Sequence, residues 1–471
     1  MGETKIIQRF AEVGYQIHPD AVAMIEEYGA PDELIQNILA SLNGSVLVVK
    51  PEHIKSRLPQ PTYDVKVLSD TAPSTCVGNY EEFVGYFRDR YAKLSEILRG
   101  RISARPIESI NLMERGREDV TVMGMVSTIR DTSSGHRLME LEDPTGTIPI
   151  LFPNHKDVFD LSHRIFLDEV IGITGTLTND GLLIANRIVW PDIPLKKNKQ
   201  SKPKRNGEAC YAVLISDTHV GSKTFLEDAW HQFIKWLNAA IGDDNQKALA
   251  KHVKYLIIAG DLVDGIGVYP NQEKELAISD IYEQYRAAAT LLREVPPHIK
   301  IIISPGNHDA VRQAEPQPPL PKEITSTFPP NTTFVGNPSL VELNGALILI
   351  YHGRSLDDLI AALPGASYRE PEKAMVEMLK RRHLAPTYGG KTTIIPGGTD
   401  HLIIDPVPDV LHCGHIHTVG ISKYRGVTLV NSGTWQSQTE FQKSINLEPV
   451  PGRASLLDLN TMETSILKFY T

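Results

Sequence analysis

Apolar and polar residues follow three different patterns along the chain, and each pattern marks a different region. Up to about residue 57, apolar residues recur every three or four positions, as in amphipathic helices. Between residue 111 and about residue 194 the period shortens to two, which is typical of half-buried strands. After residue 208, compact apolar runs alternate with helical stretches, the pattern of an α/β domain. The sequence therefore predicts a multidomain protein.

The first 110 residues are predicted to hold two helical parts. Residues 1–57 are predicted to form a small helical domain, which either binds another protein or packs on the rest of the chain. Residues 58–110 are predicted to be a linker, up to about residue 77, followed by one amphipathic helix. We expect the apolar face of that helix to lie against a core rather than nucleic acid. Its members are Phe83, Phe87, Tyr91, Leu94 and Leu98.

Residues 111–194 contain five short strand-like runs, with the hairpin signals DPTG and NDG between some of them. Five strands in so short a stretch predict a small closed barrel of the OB type. Such barrels often bind single strands through stacked aromatic side chains, but these runs offer few, Phe152 and Trp190 among them. A structural or protein-contacting barrel is the favoured interpretation.

A basic stretch follows the predicted barrel at residues 195–207. Six of the ten residues from Lys196 to Arg205 are basic, and none of the ten is apolar. A solvated tether between domains is the favoured interpretation, and a contact with a DNA backbone is the alternative.

Residues 208–471 carry the chemistry. Five compact apolar runs predict buried strands: CYAVLISD, KYLIIAGD, IKIIISPGN, LILIYHG and PDVLHCGH. In α/β domains, functional side chains collect in the loops at the carboxyl ends of strands. Each run ends in, or is followed by, residues that can bind a metal ion. These candidates are Asp217 and His219, Asp261, Asn307 with His308 and Asp309, His352, and His415 with His417.

The mixture of ligand types points to a class of metal. Carboxylate, imidazole and amide oxygen together suit divalent ions such as Mn²⁺, Fe²⁺ or Zn²⁺ rather than a thiolate zinc site, and Cys413 is expected to be buried as an apolar residue. The candidates are too many for one tetrahedral ion and suit two. Two ions about 3.5–4 Å apart can hold both the attacking and the leaving oxygen of a displacement at phosphorus.

The ordered set DxH, GDxxD, GNHD, H and GHxH resembles that of the calcineurin-like metallophosphoesterases. The resemblance implies a double β-sandwich flanked by helices, with two divalent ions bridged by one aspartate. It implies that one ion is bound by Asp217, His219 and His417, that the other is bound by Asn307, His352 and His415, and that Asp261 bridges them.

The same resemblance implies a catalytic residue that is not a ligand. His308 would stabilise the transition state and help the leaving oxygen depart, aided by Asp309. The nucleophile would be a water molecule activated by the ions, so no covalent intermediate is expected.

Four longer segments are similar to those of the small subunits of archaeal family D DNA polymerases. They are LVDGIGVYPNQ, NHDAVRQAEPQPPLPKE, HGRSLDD and NSGTWQSQTEFQK. The similarity covers about residues 111–471, and the order of an OB domain before a phosphoesterase domain agrees with it. The related B-subunits of eukaryotic replicative polymerases have lost the metal ligands, whereas this chain keeps all of them.

This resemblance implies a function and partners. It implies a 3′→5′ proofreading exonuclease supported by Mn²⁺, with Fe²⁺, Zn²⁺ and Mg²⁺ left open. DNA would be bound as a single-stranded 3′ end or a primer-template, and a large catalytic polymerase subunit would be the partner. A sliding clamp or other replication proteins are further candidates. A non-catalytic scaffold and a stand-alone metal-dependent phosphodiesterase remain as alternatives.

Composition limits the remaining choices. The chain of 471 residues has a formal net charge of −9, which argues against a surface that is basic all over and favours a DNA grip shared with a partner. No apolar run approaches the roughly 18–20 residues that span a bilayer, so we expect no membrane contact. Three scattered cysteines fit a reducing cytoplasm.

Overall fold

A computed structural model describes most of the chain. The described residues are 3–27, 32–42, 46–54, 63–71, 76, 78–111, 119–195, 209–444 and 446–470. The predicted basic tether lies outside them except for Leu195. The chain divides into two compact units, Met1–Tyr63 with Pro203–Glu208 and Asp64–Lys202 with Ala209–Thr471. Within the described parts, no helix has both the length and the apolar character that a membrane crossing requires.

The first unit is mainly helical, as predicted. Its elements are α1 (Glu3–Glu12), β1 (Gln16–Ile17), α2 (Pro19–Glu27), α3 (Asp32–Ser41), β2 (Val48–Val49) and α4 (Pro51–Ile54). Its core is made of apolar side chains at helical spacing, among them Ile6, Phe10, Ile25 and Ile38. The parallel pairing of β1 with β2 was not predicted, because two residues are too few to show a period.

The second unit begins with a strand where a linker was predicted. After β3 (Val65–Ser69) come the helices α5 (Tyr80–Arg99) and α6 (Ile107–Asn111). Strand β3 pairs antiparallel with residues 340–343, so the linker prediction is wrong for this stretch. It is an edge strand, and Val67 and Leu68 on it are 41% and 50% exposed. Both faces are therefore partly open, and no period of two results.

Helix α5 confirms the predicted amphipathic helix but turns a different face inward. A capping box between Asn79 and Glu82 begins the helix. Leu94 and Leu98 are buried as predicted, whereas Phe83 is 40% exposed. Arg90 is fully buried instead, because its guanidinium is ion-paired inside the protein.

The predicted OB-type barrel is confirmed. Its elements are β4 (Asp119–Asp131), β5 (Arg137–Asp143), β6 (Gly146–Phe152), α7 (Val158–Ser162), β7 (Val170–Leu177) and β8 (Leu183–Val189). The strands close in the order β4-β5-β6-β8-β7. Phe152 is fully buried, and the half-buried Trp190 donates its indole N–H to Glu169. Neither aromatic ring is free to stack on a base, which supports the structural interpretation of the barrel.

The α/β part follows the barrel. Its first elements are β9 (Tyr211–Ile215), α8 (Glu227–Leu237), α9 (Asp244–Lys251), β10 (Val253–Ala259), α10 (Ile281–Leu292), β11 (Lys300–Ser304), α11 (Lys322–Thr325) and β12 (Thr332–Phe334). Its remaining elements are β13 (Ser339–Leu343), β14 (Ala346–Ile350), α12 (Leu356–Ala362), α13 (Pro371–Arg381), β15 (Val410–Cys413), β16 (Val419–Tyr424), β17 (Val427–Ser432), α14 (Glu440–Ser444), β18 (Arg453–Asp458) and β19 (Thr464–Lys468).

These strands form two six-stranded sheets. Their orders are β12-β11-β10-β9-β18-β19 and β16-β17-β15-β14-β13-β3. Helices α8 and α10 cover the first sheet, and α12 and α13 cover the second. The hydroxyl of Ser432 lies 2.8 Å from that of Ser216 and links the two sheets. The five apolar runs are confirmed as β9, β10, β11, β14 and β15.

Ion pairs join the barrel domain to α13, the helix that covers the second sheet. Arg381 Nε lies 2.6 Å from Glu169 Oε2, and Arg164 Nη2 lies 2.8 Å from Glu377 Oε1. The barrel, α5 and the two sheets thus share one compact unit, although separate domains were predicted for them.

Candidate metal centre

The loops after the five confirmed strands have an unusual backbone. Their residues with a left-handed backbone are Asp217, His219, Asp261, His415 and His417, with φ between 49° and 68°. Such a backbone costs an L-residue roughly 1–2 kcal/mol, and strain of this kind is concentrated at functional sites. Five cases among the seven predicted ligands show that the surrounding structure holds these loops firmly.

Two glycines make room for the carboxylates. A Cβ atom on Gly414 would collide with Asp217 Oδ2, and one on Gly306 would collide with Asp261 Oδ1. The φ of Gly414 lies outside the left-handed region, so a tight turn does not explain the glycine. Glycine is needed there because the Asp217 carboxylate approaches the backbone closely.

The structure brings the predicted ligands together in groups whose candidate ligand atoms all lie within 4.8 Å of one another. One group is Asp217, His219 and His417, and a second is Asp261, His352 and His415. Asn307 joins the second group, since its Oδ1 lies 3.0 Å from His352 Nε2.

Asp261 lies between the two groups. Its Oδ2 atom is 3.3 Å from His352 Nε2 and 3.9 Å from His219 Nε2. This is the position that a bridging ligand requires, and ligation itself stays a prediction.

His352 shows that the donor set fits a cation. Its Nδ1–H donates to the Ala259 carbonyl at 3.0 Å, so Nε2 carries the lone pair in the neutral ring. That lone pair faces two oxygens, Asn307 Oδ1 and Asp261 Oδ2. Burial lowers the pKa of His352, but the neighbouring Asp261 carboxylate outweighs burial and raises that pKa to about 10. A proton thus takes the place of a cation here, and a divalent ion would satisfy the same three atoms.

The first group has a similar arrangement with one difference. His219 Nδ1 lies 3.1 Å from Asp264 Oδ1 and must donate to it, which leaves the Nε2 lone pair facing His417 Nε2 at 3.1 Å. His417 Nδ1 accepts from the Gln442 amide at 2.8 Å, because Thr439 N–H fixes the other end of that amide. Nε2 of His417 therefore carries the proton and points to Asp217. Ligation through that nitrogen requires the Gln442 amide to turn.

The two predicted catalytic residues are not paired with each other. His308 Nδ1–H donates to the main-chain oxygen of Asp264 at 2.7 Å, and its Nε2 lies 4.0 Å from Asp261 Oδ2. Burial lowers the pKa of His308, so its ring is neutral near pH 7. His308 also forms a group with His219 and Asp261 that could hold an ion, so ligation is an alternative to catalysis for this residue.

Asp309 supports the loop instead of His308. Its carboxylate accepts from Tyr285 OH at 3.0 Å and from the backbone N–H of Gly306 at 2.8 Å. Burial and the Asp261 charge raise the pKa of Asp309 to about 6. The main chain of Asp264, rather than Asp309, holds Nδ1 of His308, and the proposed aid of Asp309 to His308 stays a prediction.

A cavity of about 540 Å³ opens above these groups. That volume lies within the roughly 300–1,000 Å³ of small-molecule sites. Beyond the centre itself, its walls include Tyr269, Tyr368 and Lys391. Lys391 is the one lysine or arginine among the described residues that line it. The cavity therefore offers a cation and aromatic rings beside a cluster of metal-type ligands.

Known proteins resemble this chain over nearly its whole length. Residues 212–419 match the family of DNA polymerase alpha/epsilon B subunits, and residues 120–188 match the OB-fold nucleic acid binding domain. The DNA polymerase II small subunit of Archaeoglobus fulgidus is 46% identical over 475 residues, which cover 96% of this chain and 95% of that protein. The chain belongs to the family of archaeal DNA polymerase II (family D) small subunits.

Other small subunits of this family are similar to the chain over most of its length. The Methanothermobacter thermautotrophicus protein is 41% identical over 485 residues, covering 98% of each chain. The Halobacterium salinarum protein is 45% identical over 403 residues, covering 85% of this chain and 77% of that protein. The resemblance found in the sequence is confirmed at the level of this polymerase family.

Three residues hold imidazoles of this polymerase small subunit; sequence reasoning noted Asp264 beside Asp261 without giving it a role, and it missed the other two. Asp264 holds His219, Asp357 contacts His415, and Gln442 contacts His417. All three lie in segments that carry the motifs or the family resemblance, GDLVDG, HGRSLDD and NSGTWQSQTEFQK. Asp264 is the second aspartate of the GDxxD pattern, whereas the types and spacing of Asp357 and Gln442 match no ligand pattern, so only the three-dimensional contacts reveal those two.

Proposed function

We propose that this small subunit is a metal-dependent 3′→5′ DNA exonuclease that proofreads within a family D polymerase. The observation that supports this most strongly is the position of Asp261, which belongs to the second ligand group and also lies 3.9 Å from His219 of the first. The 3′→5′ direction rests on the family resemblance. The two six-stranded sheets with helices outside them favour membership of the calcineurin-like metallophosphoesterases.

The proposed centre uses two divalent ions, with Mn²⁺ expected and Fe²⁺, Zn²⁺ or Mg²⁺ as alternatives. When bound, they would lower the pKa of water and neutralise charge on the phosphate. One ion would be held by Asp217, His219 and His417, the other by Asn307, His352 and His415, and Asp261 would be shared.

His308 is the residue proposed to move a proton. Its Nδ1–H is anchored on the Asp264 carbonyl, so Nε2 is the nitrogen left for the substrate. The side chain is 15% exposed and lines the cavity, so Nε2 can take a proton from solvent and pass it to the leaving oxygen. Lys391 offers a positive charge for the DNA backbone on the same wall.

The proposed partners follow from the family. Relatives are named small subunits, which favours assembly of this chain with a large catalytic polymerase subunit. The matched family is described as an OB-fold nucleic acid binding domain, so a DNA contact by the barrel is proposed as an alternative to a purely structural role, and it would not use the rings of Phe152 and Trp190. The large partner would share that contact, since this chain carries a net charge of −9. A sliding clamp or other replication proteins remain predicted partners.

The test uses the purified chain with 5′-labelled single-stranded DNA and Mn²⁺, alone and with the large subunit. We expect a ladder that shortens from the 3′ end and disappears with EDTA or in the Asp261→Ala variant. Digestion that survives Asp261→Ala would contradict the shared-ligand centre. If no DNA is digested even when the large subunit is present, the result would favour a non-catalytic scaffold.

A further inference from the structure

We infer that Asp357 is a positioning residue that makes His415 present its Nδ1 atom to the second ion subsite. The inference rests on the proposed function only in taking the centre to bind metal, and its test is a binding measurement. Asp357 lies in the first turn of α12. It is not one of the residues that the sequence pattern assigns to the centre.

The first step concerns the proton of His415. Asp357 Oδ2 lies 3.1 Å from His415 Nε2, and an ionised carboxylate can only accept a hydrogen bond. Nε2 of His415 therefore carries a proton. In the neutral ring this leaves the lone pair on Nδ1.

The second step compares His415 with the other histidines of the centre. His219 and His352 both use their Nδ1–H on a protein oxygen, Asp264 Oδ1 and the Ala259 carbonyl. Their lone pairs are therefore on Nε2. His415 is held by its opposite nitrogen, so it approaches the second subsite with the other edge of its ring.

The third step concerns how firmly the ring is held. The backbone N–H of His415 donates to Asp217 Oδ2 at 2.9 Å, and the left-handed φ of 68° fixes the direction of its side chain. Asp357 in turn accepts a hydrogen bond from Tyr368. An isolated exposed ion pair would not order its partners in this way. The Tyr368–Asp357–His415 series instead matches the arrangement in which a carboxylate orients a ligating imidazole.

The test measures Mn²⁺ binding to the full chain by titration calorimetry and electron paramagnetic resonance. We expect two ions per wild-type chain. In Asp357→Ala we expect the ion on the His415 side to bind about 10–100-fold more weakly, with the other ion unchanged. Asp357→Glu should restore part of the loss, because it returns an acceptor to Nε2. Glu370→Gln is the matched control, since it removes an exposed carboxylate two residues from Tyr368 that is paired with the exposed Lys373.

Each outcome decides the inference. Unchanged binding of both ions in Asp357→Ala would overturn it, and so would an equal weakening of both ions with a fall in melting temperature. A wild-type chain that binds no Mn²⁺ would remove both this inference and the proposed function. Selective weakening in a chain that digests no DNA would support the positioning role while the nuclease proposal fails.

Discussion

Two buried clusters of charged residues in the second unit differ in one instructive way. The first is the candidate metal centre. The second, which we name the Arg90 cluster, consists of Arg90, Asp400, His383 and Tyr86. Arg90 and Asp400 are as deeply buried as Asp217 and Asp261. Each cluster combines carboxylate with imidazole, so composition and burial do not distinguish them.

Hydrogen bonding does distinguish them. In the Arg90 cluster each donor meets an acceptor: Arg90 Nε lies 2.7 Å from Asp400 Oδ2, and Arg90 Nη2 lies 2.7 Å from Tyr86 OH. His383 Nε2 also lies 2.7 Å from Asp400 Oδ2, and Arg90 Nη1 donates to the Pro386 carbonyl. This cluster satisfies its own charges. In the metal centre, lone pairs of His352 and Asn307 face each other and Asp261, and only a proton or a cation satisfies them.

The difference separates a cluster that satisfies itself from one that can accept a ligand. A buried cluster that satisfies itself stabilises the fold, whereas a buried cluster with an excess of acceptors needs a ligand. The predictions below test this distinction, beginning with the largest expected effect.

Replacing Asp261 by Ala should reduce hydrolysis by at least about a thousandfold, because one change removes a ligand of both ions. The measurement is digestion of 5′-labelled DNA in Mn²⁺, with the melting temperature in EDTA as the check on folding. Hydrolysis within tenfold of wild type would show that Asp261 is not shared.

Replacing His308 by Ala should lower the turnover rate by about a hundredfold to ten thousandfold while Mn²⁺ binding stays near normal. The reason is that His308 lines the cavity but belongs to neither of the two groups proposed to bind the ions, Asp217–His219–His417 and Asp261–His352–His415. Calorimetry and single-turnover kinetics measure the two properties. Loss of an ion in this variant would instead identify His308 as a ligand.

Replacing Arg90 by Met should lower the free energy of unfolding by about 3–5 kcal/mol, because it leaves Asp400 buried beside one imidazole only. Metal binding by the folded fraction should not change. The double variant Arg90→Met with Asp400→Leu should recover most of the stability, measured by urea unfolding. A single variant as stable as wild type would mean that the cluster does not hold α5.

The smallest expected effect is a pH dependence of stability. Burial raises the pKa of Asp400, but His383 and Arg90 outweigh burial and hold it far below its ordinary value. The pKa of Asp400 is lower in the folded state than in the unfolded state. The ionised Asp400 carboxylate therefore stabilises the fold fully above the unfolded pKa of about 3.9, and this stabilisation is lost as the pH falls below about 3.9. This carboxyl should contribute a slope of about 1.4 kcal/mol per pH unit there. When the free energy of unfolding is measured by urea unfolding between pH 5 and pH 3, it should change less steeply with pH in the double variant than in wild type.

Much of this fold could be predicted because its signals are local. Five apolar runs were long enough to mark strands, and the period of two marked the barrel. Strand β3 could not be predicted, because an edge strand with two open faces loses its period. The buried position of Arg90 could not be predicted either, because its partner Asp400 lies 310 residues away.

The candidate ligands could be found because each follows a strand directly. Of the residues that orient them, Asp264 stands in the GDxxD pattern, whereas Asp357 and Gln442 act through contacts that sequence spacing does not encode. Asp309 shows the opposite case. The family resemblance implied that it aids His308, yet its carboxylate turns toward Tyr285.

The origin of the ligands has a consequence for the order of events during synthesis. Asp217, Asp261 and Asn307 follow strands of the first sheet, whereas His352, His415 and His417 follow strands of the second. A nascent chain that has formed only one sheet holds only part of the candidate centre. A hydrolytic activity built this way would be absent until both sheets have formed and packed together. A bound ion would then act as a crosslink that favours the assembled state. Such late maturation would protect the DNA of the cell from a half-made nuclease.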